Sequence, residues 1–343
     1  MNKNSEYEKM PKNLKGLNLS EKAMQELNKV KWAVTEKVHG ANFSLVYEKN
    51  TLRYAKRKEY LTWNDDFFGF QTVAVEIENS ILALFEQLKQ DVQADKYIIY
   101  GELFGGKYPN SDVPTNPNVQ AIQTGVYYSP SIHFCAFDIA IETENDFKSY
   151  LDYETSLAYF ERFNIFHAKV LFAGKWNEAL NFNTRINSQI PSQLHLPELS
   201  SNLIEGVVIK PLKHSLLAGI ENRPIIKLKN PEFDEEKKFH EAEKWSFIPD
   251  VISQSEELSF LVEEMAAYIT LNRLNSALSK IGRLDFDNAD RLNEVKKEFL
   301  EDIFVDFNED NGKILDTIDS AKIEWLRNRM MARISEFINQ LPK

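Results

Sequence analysis

Cysteine is almost missing from the chain: Cys135 is the only one in 343 residues. One thiol excludes an internal disulfide and any metal site built on a cysteine cluster. Its apolar surroundings make it a buried structural group. No apolar run approaches the ~20 residues needed to cross a bilayer. Residues 1–12 are polar and lack the apolar centre of a secretory leader, so a soluble, cytoplasmic protein without a membrane partner is expected. Internal repeats and low-complexity segments are missing too. So is a surplus of positive charge, since 41 Lys and Arg against 52 Asp and Glu leave −11. Residues 232–343 hold 15 basic against 25 acidic side chains, a net −10, so the preceding part is close to neutral. Such acidity disfavours nonspecific binding to nucleic acid. It does not forbid local basic clusters that meet phosphates.

What is present can fill a core: 43% of the residues are hydrophobic and 12% aromatic. Ser20 is a plausible cap for a short helix over 20–28. Strands are expected at 31–37, 42–47 and 51–56, and again at 97–103, 132–141, 205–210 and 224–229. Val73, Ile77, Ile81, Leu84, Phe85 and Leu88 recur at helical spacing within 67–90, and a second helix is expected over 152–163. Residues 105–124, rich in Gly, Pro and Asn, read as a long loop. Past Asn230-Pro231 the pattern turns helical. Leu258, Leu261, Met265 and Ile269 make one stripe, and Leu292, Val295, Phe299 and Ile303 a second. Ile318, Ala321, Trp325, Ile334, Phe337 and Leu341 make a third, with Gly282 and Gly312 between them as stop signals. The expected organisation is a mixed α+β domain over 1–231 and an all-helical domain over 232–343.

Val34 to Phe43 reads as strand, tight turn, strand, with Lys37 at the end of the first strand and Gly40 in the turn. A lysine there can be a nucleophile or a solvated neighbour of a hairpin. Gly101 to Lys107 imitates a phosphate-binding loop, Gly-x4-Gly-Lys, but Tyr108 replaces the required Ser or Thr and Pro109 follows where a helix should open. Four other stretches carry chemistry. Glu102 ends an apolar strand, and so does Asp138 after Phe137. Glu205 and Lys210 bracket the strand Gly206-Val207-Val208-Ile209. Lys227 and Lys229 alternate with apolar residues and so face one side. Each alone reads most simply as a strand-end charge, a core aromatic or an exposed face.

Their order says more. Lys-x-His-Gly, Arg, Glu, Phe-Asp, Glu-Gly-Val-Val-Ile-Lys and Lys-x-Lys together resemble the covalent nucleotidyltransferase superfamily over residues 31–230. Within it, the run Glu36 to Ser44 most resembles the RNA ligase 2 family of ATP-dependent polynucleotide ligases. The resemblance implies an ATP-grasp-like nucleotidyltransferase domain of antiparallel sheets with flanking helices. It also implies three steps: an amine takes AMP from ATP and releases pyrophosphate, AMP passes to an RNA 5′-phosphate, and a 3′-hydroxyl displaces it. Lys37 matches the nucleophile. Lys227 and Lys229 match lysines that meet the phosphates, and Glu205 matches an acid near the nucleophile and the metal. Glu36, His39 and Asn42 flank the nucleophile at the nucleotide. Arg57 resembles the arginine at the sugar and RNA end, Glu102 the ribose-binding acid and Phe137 the aromatic that stacks on adenine. Lys56 competes with Arg57 because the run Lys56-Arg57-Lys58 permits a shift of register. The implied cofactor is Mg2+, with Mn2+ as a substitute. The implied partners are RNA 3′-hydroxyl and 5′-phosphate ends, preferably in duplex RNA or an RNA/DNA hybrid, met by a monomer whose helical domain engages RNA. Arg327, Arg329 and Arg333 could form a basic patch there or a solvated helix face. The alternatives are a DNA ligase or capping guanylyltransferase, which usually carry an OB-fold after Lys-x-Lys, and a non-catalytic RNA-end-binding module.

Overall fold

A computed structural model describes residues 4–11, 17, 19–143, 147–217, 220, 222–233 and 255–341. Contacts divide the chain into two units, Met1–Glu232 and Phe233–Lys343. The first unit opens with helix α1 (Glu21–Glu26), whose N–H at Ala23 donates to the Ser20 side chain at 3.2 Å. Strand β1 (Trp32–Glu36) is buried along its whole length. The chain then builds β2 (Ala41–Glu48), β3 (Thr51–Lys56), β4 (Tyr60–Leu61), helix α2 (Phe70–Asp91), β5 (Lys96–Lys107), β6 (Ser129–Thr143) and β7 (Phe147–Tyr150). It continues through α3 (Tyr153–Arg162), β8 (Val170–Gly174), the short helices α4 (Trp176–Leu180) and α5 (Ile190–Gln193), β9 (Gly206–Pro211) and β10 (Ile226–Lys229).

The strands form two sheets with antiparallel neighbours. One has four strands in the order β10-β9-β1-β8, the other six in the order β4-β3-β2-β5-β6-β7. This corrects one expectation. Val34 to Phe43 is not a hairpin: β1 pairs with β8 and β9, whereas β2 pairs with β3 and β5. Alternation on both sides of a glycine fits two strands equally well whether they pair with each other or not. Residues 37–40 are therefore the crossing between sheets, and Lys37 stands where the sheets meet.

Side-chain alternation sorts the six-stranded sheet into two faces. Phe43, Leu45, Ile99, Leu103, Phe134 and Ile139 pack beneath Val73, Ile81, Leu84, Phe85 and Leu88 of α2. The opposite face carries Tyr7, Val46, Ala55, Ile98, Tyr100 and Ala140, with Phe137 against them. Asn42 and Glu102, paired across β2 and β5, belong to this second face. The expected loop over 105–124 is shorter than its composition implies, because β5 runs to Lys107. The Gly101–Lys107 run is therefore strand and cradles no phosphate.

The second unit contains α6 (Ser255–Ala266), α7 (Leu271–Ile281), α8 (Ala289–Asp310) and α9 (Ser320–Asn339). Met265, Leu274, Val295, Phe299, Ile303, Leu326, Met330 and Ile334 form its core. The side chain of Leu258, from the first expected stripe, lies outside the described residues. Helix α7 was not legible as a stripe because two of its inward positions are charged. Arg273 pairs with Asp306 at 2.8 Å and Lys280 with Glu298 at 3.2 Å. No helix among the described residues is long and apolar enough to cross a membrane.

Candidate active site

Lys37 follows the last residue of β1, and its N–H donates to the Gly206 carbonyl at 2.9 Å, extending the pairing with β9. Its Nζ lies 2.6 Å from Glu205 Oε2. Lys229 reaches the other carboxylate oxygen of Glu205 at 3.1 Å, and His39 Nδ1 lies 3.3 Å from Oε2. Glu205 is 1% exposed. Burial alone would push its carboxyl up, but Lys37, Lys229 and His39 outweigh burial and hold it well below the usual carboxylate range. Gly206 lets β10 come this close: a Cβ there would sit 2.0 Å from the Leu228 carbonyl oxygen. Gly40 does the same for the crossing, since its Cβ would sit 2.2 Å from Leu103 O. The His39 N–H donates to the Tyr128 hydroxyl at 2.9 Å, which fixes the middle of that crossing. Lys227 stands two residues before Lys229 on β10 and so shares its face.

The six-stranded sheet supplies the rest. Glu102 is hydrogen-bonded by Asn42 and feels the charges of Lys37, Glu205 and Arg57. Burial raises its carboxyl to about 7, Lys37 opposes the rise and Glu205 reinforces it. Its Oε2 is buried without a hydrogen-bond partner. Lys56 turns to Glu59 at 3.1 Å, whereas Arg57 lies 3.7 Å from Glu6. Phe137 is half-buried on the second face, edge-on to Tyr7 with centroids 4.9 Å apart. Beneath it, Lys210 donates to the Phe137 carbonyl at 2.9 Å and to Asp138 at 3.0 Å. Arg223 bonds both Asp138 oxygens, at 2.9 and 3.1 Å. Burial pushes Asp138 up, yet Arg223 and Lys210 bring it to about 2.

Lys37, His39 and Lys229 thus converge on Glu205, Glu102 feels the charges of Lys37 and Glu205, and Asn42 and Arg57 act on Glu102. Glu36 is not among them. Strand alternation turns its side chain the other way, where Oε2 accepts from the Gln189 N–H at 3.2 Å. Burial raises it to about 7, with Ser188 and Gln189 opposing. Tyr7, Glu8, Tyr128 and Arg223 were missed by sequence reasoning. Residues 4–11 read only as polar, and nothing in Asn222-Arg223-Pro224 marks an arginine that reaches a buried acid.

The chemistry of a divalent cation can be tested on these donors. Among the described residues no three His, Cys, Asp or Glu side chains converge to hold a metal. Glu102 offers a buried, unpartnered oxygen, and Glu205 lies close enough to raise its carboxyl. Glu205 is a hard donor of the kind a magnesium ion takes beside phosphate and water, and the unpartnered Glu102 oxygen can accept from a sugar hydroxyl.

Residues 30–229 match the family model for RNA ligase, and residues 252–336 match the T4 RNA ligase 2 C-terminal domain. The chain belongs to the RNA ligase family. A curated relative, the mitochondrial RNA-editing ligase 2 of Trypanosoma brucei brucei, is 30% identical over 79% of this chain and 77% of its own. The mitochondrial RNA-editing ligase 1 of the same organism is 31% identical over 77% and 68%. A solved Naegleria gruberi RNA ligase variant with ATP and Mn is 13% identical, with a TM-score of 0.45 over 68% of this chain. The chain spans 59% of that structure's length. As a member of that family it is an RNA ligase, an enzyme that joins RNA ends.

Proposed function

We propose that Lys37 is the lysine that carries AMP, and that the ligase seals 3′-hydroxyl and 5′-phosphate RNA ends, preferably at nicks in duplexes. The observation that carries this reading is the contact of Lys37 and Lys229 with one buried carboxylate, Glu205. Glu205 aims the Lys37 amine while Lys229 and Lys227 bring positive charge to the side where a triphosphate's innermost phosphorus would lie. The amine must shed its proton to water to attack, because a free lysine, with a pKa of about 10.4, is mostly protonated at neutral pH; Glu205 opposes that loss, and Lys227, Lys229 and a magnesium ion beside it would favour it. Attack forms the N–P bond, breaks the α–β bridging P–O bond and releases pyrophosphate. The two β10 lysines offset the negative charge that grows on the α-phosphate. Glu102 and Asn42 fit the ribose, and Phe137 offers a ring face to the base. A magnesium ion held near Glu205 would supply charge neutralisation at the phosphates.

The helical unit is proposed to engage RNA, on the strength of the match over 252–336. Its expected basic patch is largely internally paired: Arg327 binds Glu301, Arg333 binds Glu263, and Arg329 lies over the Trp325 ring. RNA contact by these arginines would have to replace such pairs. We place the enzyme in the cytoplasm as a monomer. The test is sealing of the same nick built in RNA and in DNA, with ATP or GTP supplied. Rapid sealing of the RNA nick with ATP alone is expected. Preference for DNA or for GTP contradicts the reading.

A further inference from the structure

We infer that residues 4–11 form a strap that ties the two sheets together and sets the position of Arg57, Phe137 and Lys227 for nucleotide binding, an inference that rests on the ligase reading above. The strap begins at the turn that carries Arg57. The Asn4 N–H donates to Lys58 O at 2.9 Å, and its side chain donates to Lys56 O at 3.1 Å and to Ser44 Oγ at 3.0 Å. The backbone on both sides of Arg57 is thereby held, and Glu6 lies 3.7 Å from the Arg57 guanidinium.

The next residues cross the second face of the six-stranded sheet. Tyr100 donates to the Ser5 carbonyl at 2.7 Å, and Lys148 donates to the Glu6 carbonyl. Tyr7 is buried, with its ring edge-on to Phe137 and to Tyr100. Its hydroxyl donates to Asp138 at 2.5 Å. The Glu8 N–H donates to the Tyr150 hydroxyl at 3.2 Å, and its carboxylate accepts from Arg223 Nε at 2.7 Å. The strap then reaches the other sheet, where Pro11 O accepts from the Lys227 N–H at 3.2 Å. β10 is an edge strand, so this bond lies on the side that β9 does not cover.

Eight residues therefore touch β2, β5, β6 and β7, the turn after β3, and β10. A segment that only shielded a strand edge would need neither a phenol bonded to a buried acid nor a carboxylate beside Arg57. Tyr7 is a positioning residue: it meets the base-facing ring of Phe137 edge-on and is itself held by its bond to the adjoining Asp138. Glu6 acts in the same way on Arg57.

The test uses the full chain with Tyr7→Phe and with Glu6→Gln. The rate of AMP transfer onto the protein is followed against ATP concentration, and melting temperature is recorded beside it. The expected result is a half-saturating ATP concentration raised roughly tenfold by Tyr7→Phe, which loses a charge-assisted hydrogen bond, and about twofold by Glu6→Gln, which loses an exposed ion pair. The maximal rate stays close to that of the parent. An unchanged ATP requirement in both variants overturns the strap, whatever happens to the melting temperature. Should Tyr7→Phe fail to fold, Glu6→Gln decides alone, since its side chain is 48% exposed. A parent protein that takes up no AMP removes the ligase reading and the strap with it; a parent that labels beside unmoved variants removes the strap only.

Discussion

Glu36 and Glu102 are both raised to about 7 by burial, yet they stand on different sides of the nucleophile. Glu102 sits within the charge set of the site, so its titration is entangled with function. Glu36 has its hydrogen-bond partners outside that set, at Ser188 and Gln189. Its folded-state value exceeds the ordinary 4.5. The folded protein therefore keeps a proton that the unfolded chain has lost, and stability falls as pH rises from about 4.5 to about 7. Replacing Glu36 with Gln removes that loss. We expect the urea midpoint of Glu36→Gln to match the parent near pH 4 and to exceed it at pH 8. The gain is on the order of 3 kcal/mol if the whole shift is expressed. Parallel pH profiles for the two proteins would show that the carboxyl is not raised. At this scale the sequence was legible where a residue type is dictated by chemistry. Lys37, Glu205 and Lys229 were named through the family resemblance that the order of the motifs carries, and in the structure both lysines contact Glu205. It was not legible where a contact depends on which way a strand faces. Glu36 adjoins Lys37 in sequence, and pleating sends it to Gln189.

Among the elements, the crossing at residues 37–40 matters most, because it converts adjacency in the chain into a junction of sheets. Its tolerance is small. Any Cβ at position 40 meets the Leu103 carbonyl, and backbone cannot yield as a side-chain tip can. Gly40→Ala should cost about 1–3 kcal/mol, the usual range for overpacking, and should slow AMP transfer more than that loss of stability explains by moving Lys37 away from Glu205. Chemical denaturation together with the initial labelling rate checks both halves. Normal labelling in a destabilised variant would separate the crossing from the chemistry. The long elements were readable because their patterns are strong. The α2 stripe and the buried run of β9 both gave the right element. The short edge elements β4, β7 and β8 were not read, since two to five residues hold too little periodicity to distinguish strand from loop. The hairpin expectation failed for a different reason: pairing partners are a long-range property that alternation does not encode.

For the molecule as a whole, composition bounded the answer more than it identified it. One cysteine excluded a disulfide and a cysteine-built metal site, the acidic balance excluded no class, and only the ordered set of motifs pointed to a ligase. The helical character of residues 255–341 was legible, but its charge pairing was not, because Arg327 and Arg333 find their acids on other helices. The proposed magnesium would take ligands from phosphate and water at the site, so it would serve the reaction and not the fold. Chelation is expected to abolish AMP transfer and leave the melting temperature within about 2 °C, a shift of about 1 kcal/mol or less for a domain of this size. A large drop in melting temperature on chelation would reveal a structural ion. The most direct measurement is the intact mass of the protein after incubation with ATP and magnesium, followed by peptide mapping, with Lys37→Ala alongside. One AMP on the peptide containing Lys37, and none on the variant, is the predicted result. An unmodified parent protein, or an AMP that persists in Lys37→Ala, would contradict it.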